Sequence, residues 1–91
     1  MVIYKYTLDR VARFQTLRIP FGKNTKLLGV QEQDDRMVLW AIVNTDDRER
    51  ELMIGIYYTG VDVPHNILED EYLGTVQMAN GIVYHCFSYW L

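Results

Sequence analysis

The chain has 91 residues, of which 49% are hydrophobic and 23% charged; that leaves room for one compact domain and excludes a disordered chain. Its longest apolar run, Met37 to Val43, has seven residues, against the roughly 20 of a membrane-crossing helix, so no membrane role is expected. The formal net charge of −3 argues against nonspecific binding of duplex DNA, which requires a basic surface.

Alternation points to strands through most of the chain. Val2 to Thr7 sets Val2, Tyr4 and Tyr6 on one face and Ile3, Lys5 and Thr7 on the other. Phe14 to Ile19 brings Gln15, Leu17 and Ile19 together and is stopped by Pro20-Phe21-Gly22, since proline donates no ladder hydrogen bond and glycine permits a turn. Leu27 to Gln33 and Arg36 to Asn44 flank Asp34-Asp35, a tight connection without a glycine. Met37 to Val43 is apolar on both faces, which suits a central strand covered on both sides or the interior of a sandwich. Thr45 to Arg50 is the most hydrophilic stretch and reads as a solvated loop. Leu52 to Thr59 is the next strand, with Gly55 inside it as a bulge or close-approach point. Gly60 to Glu71 is a long connection with one helical turn at Asn66 to Asp70. Tyr72 to Ala79 and Ile82 to Trp90 are joined by Asn80-Gly81. A two-residue turn there sets Met78 opposite Val83 and Val76 opposite His85. Strands at this spacing predict a single all-β domain over residues 1–91, a small antiparallel sandwich or barrel of about seven strands with at most one short helical turn.

The segments Ile3 to Tyr6, Gln15 with Arg18-Ile19-Pro20, Leu28 to Gln31 and Leu39 to Val43 resemble a family of short proteins common in bacteriophage genomes and known as a domain of unknown function. Thr59-Gly60, Tyr72 to Val76 and Gly81 to Phe87 extend the resemblance over nearly the whole chain. It implies a phage origin and a β-rich fold, and it supplies no catalytic residue. The N-terminus shows no charged leader followed by an apolar stretch, so no signal peptide is expected. The single cysteine, Cys86, has no partner within the chain, which suggests a reducing compartment, the cytoplasm of the host cell if the protein is phage-encoded.

The sequence holds little that reads as catalysis. His85 and Cys86 are adjacent, and neighbours in a strand point to opposite faces, so they cannot form a thiolate–imidazole pair. Cys86 reads as a small buried apolar residue, and His85 lacks the second polar group a base needs. His65, His85 and Cys86 lack metal-ligand spacing, and the six glycines stand singly with no phosphate-binding run. No enzyme, cofactor or metal is expected.

Two features stand out. Residues 1–30 carry six bases and one acid, whereas residues 31–91 carry three bases and eleven acids. Either the two blocks neutralise each other in the fold or the first forms a cationic site. In the second case the ligand residues are Arg10, Arg13, Arg18, Lys23 and Lys26, with Tyr4 or Tyr6 as the adjoining aromatic surface. The first and second connections fall at opposite ends of the strands, so an oligomer is needed to join them. The second feature is the tail, where Phe87, Tyr89, Trp90 and Leu91 close the chain on a strand with no later segment to cover it, which suggests a self-association interface. The expectation is therefore a non-catalytic phage accessory protein that inhibits host antiviral defence by sequestering an anionic nucleotide-type ligand as a homo-oligomer. The alternatives are an inhibitor that masks a host defence protein through its acidic or aromatic surface, and a virion accessory.

Overall fold

A computed structural model of residues 1–91 shows seven strands in two antiparallel sheets, with one 3-10 turn at His65–Glu69 and no α-helix. The strands are β1 (Val2–Leu8), β2 (Phe14–Pro20), β3 (Lys26–Gln33), β4 (Arg36–Val43), β5 (Glu49–Tyr58), β6 (Glu71–Gln77) and β7 (Val83–Trp90). One sheet has the order β1-β4-β3 and the other β2-β5-β7-β6. The predicted all-β class is the observed one, and the architecture is a sandwich. No helix is long and apolar enough to cross a membrane.

The core is built by the period-2 alternation of both sheets. Met37, Leu39, Ala41 and Val43 of β4 meet Leu52, Ile54 and Ile56 of β5 and Tyr84 and Cys86 of β7 in a cluster of fourteen buried residues. The run from Met37 to Val43 is the central strand of its sheet, as its two apolar faces predict. Its outward Val38 is only 1% exposed. Lys5 on the neighbouring β1 reaches over it, donating from Nζ to Gln33 Oε1 on β3 at 2.8 Å, so the aliphatic stem of the lysine roofs the valine.

Three local readings are corrected. First, Glu49 and Arg50 belong to β5 and not to a loop, because their backbones pair with Pro20 and Ile19 of β2. Second, the β6–β7 connection is a three-residue loop, Ala79-Asn80-Gly81, closed by Met78 N–H donating to the Ile82 carbonyl at 3.1 Å. Only Gly81 takes a positive φ, +83°, while Asn80 uses its side chain to accept the Ile82 N–H at 2.9 Å. The register therefore shifts by one, pairing Val76 with Tyr84 and Thr75 with His85. The two-residue primed turn lies instead at Asp34-Asp35, with φ of +51° and +59°. Third, β7 is an interior strand, and half of the tail is covered within the chain. Trp90 turns inward against Phe21 with ring centroids 4.5 Å apart. Phe87 is flanked by Tyr57 and Tyr72, and only Tyr89 and Leu91 remain exposed.

Cys86 is wholly buried beside Met37, and burial pushes its thiol up from 9.0 to about 12. The folded chain thus holds this proton more tightly than the unfolded one. That contribution to stability is complete below about pH 9 and fades as pH rises towards 12. Cys86→Ala should cost about 1–2 kcal/mol at neutral pH. In urea titrations, the advantage of wild type over this variant should shrink steadily above pH 9; a constant difference would show the thiol to be solvated.

Candidate functional site

The alternation that buries Ile56, Tyr84 and Cys86 turns Tyr57, His85 and Phe87 to the outer face of the larger sheet. Register then aligns aromatic rings across all four strands. Phe14 on β2 meets Tyr57 on β5 at 6.0 Å between centroids, Tyr57 meets Phe87 on β7 at 6.2 Å, and Phe87 meets Tyr72 on β6 at 5.3 Å. These separations lie in the attractive range for tilted and edge-on rings.

β5 and β6 run in the same direction with β7 between them, so their connection must cross the sheet. It crosses the outer face and lays Ile67, 7% exposed, among these rings. A groove of about 280 Å³ is left beneath it, lined by Tyr57, His85 and Phe87 of the sheet and by Thr59, Val61, Val63 and Ile67 of the connection. Beyond Tyr58 and Thr59 lies a second concavity of about 470 Å³, lined by Gly81, Ile82 and Val83.

The polar edge of the groove is a hydrogen-bonded line. Thr59 Oγ1 and His85 Nε2 are 2.8 Å apart, His85 Nδ1 and Thr75 Oγ1 are 3.0 Å apart, and Thr75 Oγ1 bonds in turn to the Tyr72 hydroxyl. A neutral imidazole carries one N–H, so one threonine donates to the ring and the other accepts from it. Both ring nitrogens are occupied, which fixes the imidazole plane and leaves the Thr59 hydroxyl as the end of the line at the groove. Tyr57 lies below the ring of contacts, its hydroxyl pKa raised by burial first and by Asp70 second. The Arg13 guanidinium carbon stands 5.7 Å from the Tyr57 ring centroid, in cation–π range.

The residues anticipated as an anion site are dispersed. Arg10 and Arg13 lie in the β1–β2 connection, Lys23 and Lys26 lie at the β2–β3 connection, and Arg18 lies on the outer side of β2. Pairing of Leu8 with Met37 and of Pro20 with Glu49 puts the two connections at opposite ends of the strands. Part of the basic block is tied to the acidic one: Arg10 Nη1 lies 3.0 Å from Asp35 Oδ1, and Arg18 Nε lies 3.5 Å from Glu49 Oε1. The Arg10 contact, with the Ala79 N–H second, holds the Asp35 carboxyl below its ordinary value. Tyr4 and Tyr6 form an edge-on pair on the inner side of β1, with Tyr6 packed on the core. Of the seven, Arg13 alone stands against the aromatic row.

His85 has the polar partners that its position in the sequence does not reveal. A hairpin register of two-residue type sets Val76 beside it; the three-residue loop sets Thr75 there. Thr59 and Tyr57 were equally out of reach, since their place depends on the crossover. The outward alternation of Tyr57 with Thr59 and of His85 with Phe87 was the available signal.

Fold and groove together define a small antiparallel β-sandwich domain with an aromatic outer face. The chain belongs to the family described as a domain of unknown function, DUF7352, which matches residues 1–90. No curated protein and no solved structure matches it.

Proposed function

We propose that this is a non-catalytic binding domain, a phage accessory inhibitor of host antiviral defence, that sequesters a nucleotide-type ligand in the groove beneath the Thr59–Asp70 connection. The observation that carries the reading is the meeting of Tyr57, Phe87 and the Thr59–His85 pair around one 280 Å³ space, with the Arg13 guanidinium outside its lining and 5.7 Å from the Tyr57 ring centroid. Aromatic faces take a planar base whatever its sequence of donors. Thr59 hydrogen-bonds its edge, and Arg13 attracts the anionic end. The volume suits a single base, at the lower end of small-molecule sites. The phage setting rests on the resemblance of the strand segments.

Calorimetry with mono- and dinucleotides tests this. Phe87→Ala should weaken binding about tenfold, from loss of stacking worth about 1–3 kcal/mol. Arg13→Ala should weaken it about tenfold as well and reduce its salt dependence. No nucleotide binding to the wild type, or unchanged affinity in Phe87→Ala, would reject the proposal.

A second reading is masking of a host protein. It is favoured by the spread of the aromatic row beyond the groove, since Phe14 is 54% and Tyr72 57% exposed. Such a partner is lost in Phe14→Ala and Tyr72→Ala, which leave the groove walls intact. Self-association belongs to the same proposal, with the exposed β1 edge carrying Val2, Ile3 and Tyr4 as its surface.

A further inference from the structure

The smaller sheet has an outer face of its own, which the aromatic groove does not use. Ile3, Lys5 and Thr7 of β1, Arg36, Val38 and Trp40 of β4, and Gln31 and Gln33 of β3 point to it. At its turn end lies a polar pocket of about 250 Å³, lined by Lys5, Thr7, Gln33, Asp34, Arg36 and Val38.

Two cations from different strands border this space without a carboxylate bonded to either. The ion pairs of the chain are Arg10–Asp35 and Arg18–Glu49. The primed turn at Asp34-Asp35 separates its two acids: Asp35 bonds to Arg10 and to the Ala79 N–H, so Asp34 is the one acid lining the pocket. Lys5 Nζ gives one of its three donors to Gln33, which holds the ammonium over the floor at Val38 and keeps two donors free. Arg36 brings a planar fork that matches phosphate oxygens, and Thr7 adds a hydroxyl. Beside them, Trp40 is fixed by its indole N–H donating to Gln31 Oε1 at 3.1 Å, with Lys5 Nζ 5.9 Å from its ring centroid.

We propose that this pocket binds the phosphate group of a small phosphorylated compound, a monoester or diphosphate, between Lys5 and Arg36, with the rest of the ligand lying along Trp40. Charge and donor geometry select the class. Two cations against one carboxylate favour an anion, and the ammonium, guanidinium and hydroxyl are all donors, which a carboxylate or phosphate accepts and a neutral sugar satisfies poorly. The site lies on the opposite face of the sandwich from the aromatic groove and does not depend on it.

The probe is inorganic pyrophosphate, followed by ¹H–¹⁵N chemical shifts of the full chain. Saturable shifts are expected at the Trp40 indole N–H and at the amides of Thr7 and Arg36. Arg36→Gln and Lys5→Met should each weaken binding about tenfold; the methionine keeps the apolar cover over Val38. Asp34→Asn should tighten it about threefold by removing the opposing charge, and asparagine accepts the left-handed backbone of that turn. Phe87→Ala should leave the titration unchanged, so loss of the groove reading does not touch this one. The proposal is overturned by shifts that do not saturate, by shifts centred on Arg13, Lys23 or Lys26, or by an Arg36→Gln variant that titrates as wild type with a native spectrum.

Discussion

Alanine at Gly29 or Gly74 should lower the unfolding free energy by about 2–3 kcal/mol in urea titrations. Both glycines sit where a strand slips register against its neighbour, between Leu27 and Gly29 on β3 and between Tyr72 and Gly74 on β6. Their φ values, +128° and +136°, belong to a region that side chains rarely enter. The two irregularities face each other across the seam between the sheets. A Cβ on Gly29 would stand 3.0 Å from the Leu73 carbonyl oxygen, and one on Gly74 would stand 3.1 Å from Val30 Cγ2. Alanine at either position adds a steric push to the conformational strain, against the Leu73 backbone at Gly29 and against the Val30 side chain at Gly74, and the seam that shields the edges of β3 and β6 opens. Gly60 is the control. Its φ is +94° with nothing within 4 Å of a Cβ, so Gly60→Ala should cost about 1–2 kcal/mol from strain alone. Equal losses at Gly29 and Gly60 would show that the seam tolerates a methyl group.

Trp90→Ala should cost about 2–4 kcal/mol, whereas Tyr89→Ala should stay within about 0.5–1 kcal/mol. The two aromatic residues are neighbours in the tail and occupy opposite faces of β7. Trp90 packs on Phe21, and the Arg50 guanidinium carbon stands 4.8 Å from the Phe21 ring centroid. Arg50 Nε also donates to the Leu91 carbonyl at 2.7 Å. Removing the indole therefore loosens the β2–β3 corner, the start of β5 and the chain end together. Tyr89 faces outward at 42% exposure. The unfolding midpoint of Trp90→Ala should not depend on protein concentration, because the contacts it loses are within one chain. A concentration-dependent midpoint would return Trp90 to the subunit interface anticipated from the sequence.

Strand positions were legible because side-chain alternation is a local property. Gln15, Leu17 and Ile19 share the inner side of β2, and Cys86 and His85 point to opposite sides of β7, as period 2 requires. The hairpin between β6 and β7 was legible as a hairpin but not in its register. Asn-Gly signals a turn, yet either a two- or a three-residue loop accommodates it, and the choice depends on whether Asn80 takes a positive φ. That choice moves Thr75 rather than Val76 beside His85, and with it the polar edge of the groove.

Composition and periodicity by themselves determined an all-β fold of about seven strands, the interior place of Met37 to Val43 and the burial of Cys86, since each follows from where apolar residues fall along one strand. Strand order, and everything that strand order places together, belonged to the tertiary structure. That Lys5 reaches Gln33 across β4, that Arg13 meets Tyr57, and that the Thr59–Asp70 connection crosses the aromatic row all depend on pairing between segments far apart in the chain. Charge counting found the basic first third but not its partners. A count carries no distances, and interactions between exposed charges are screened within about 10 Å at about 0.1 M salt.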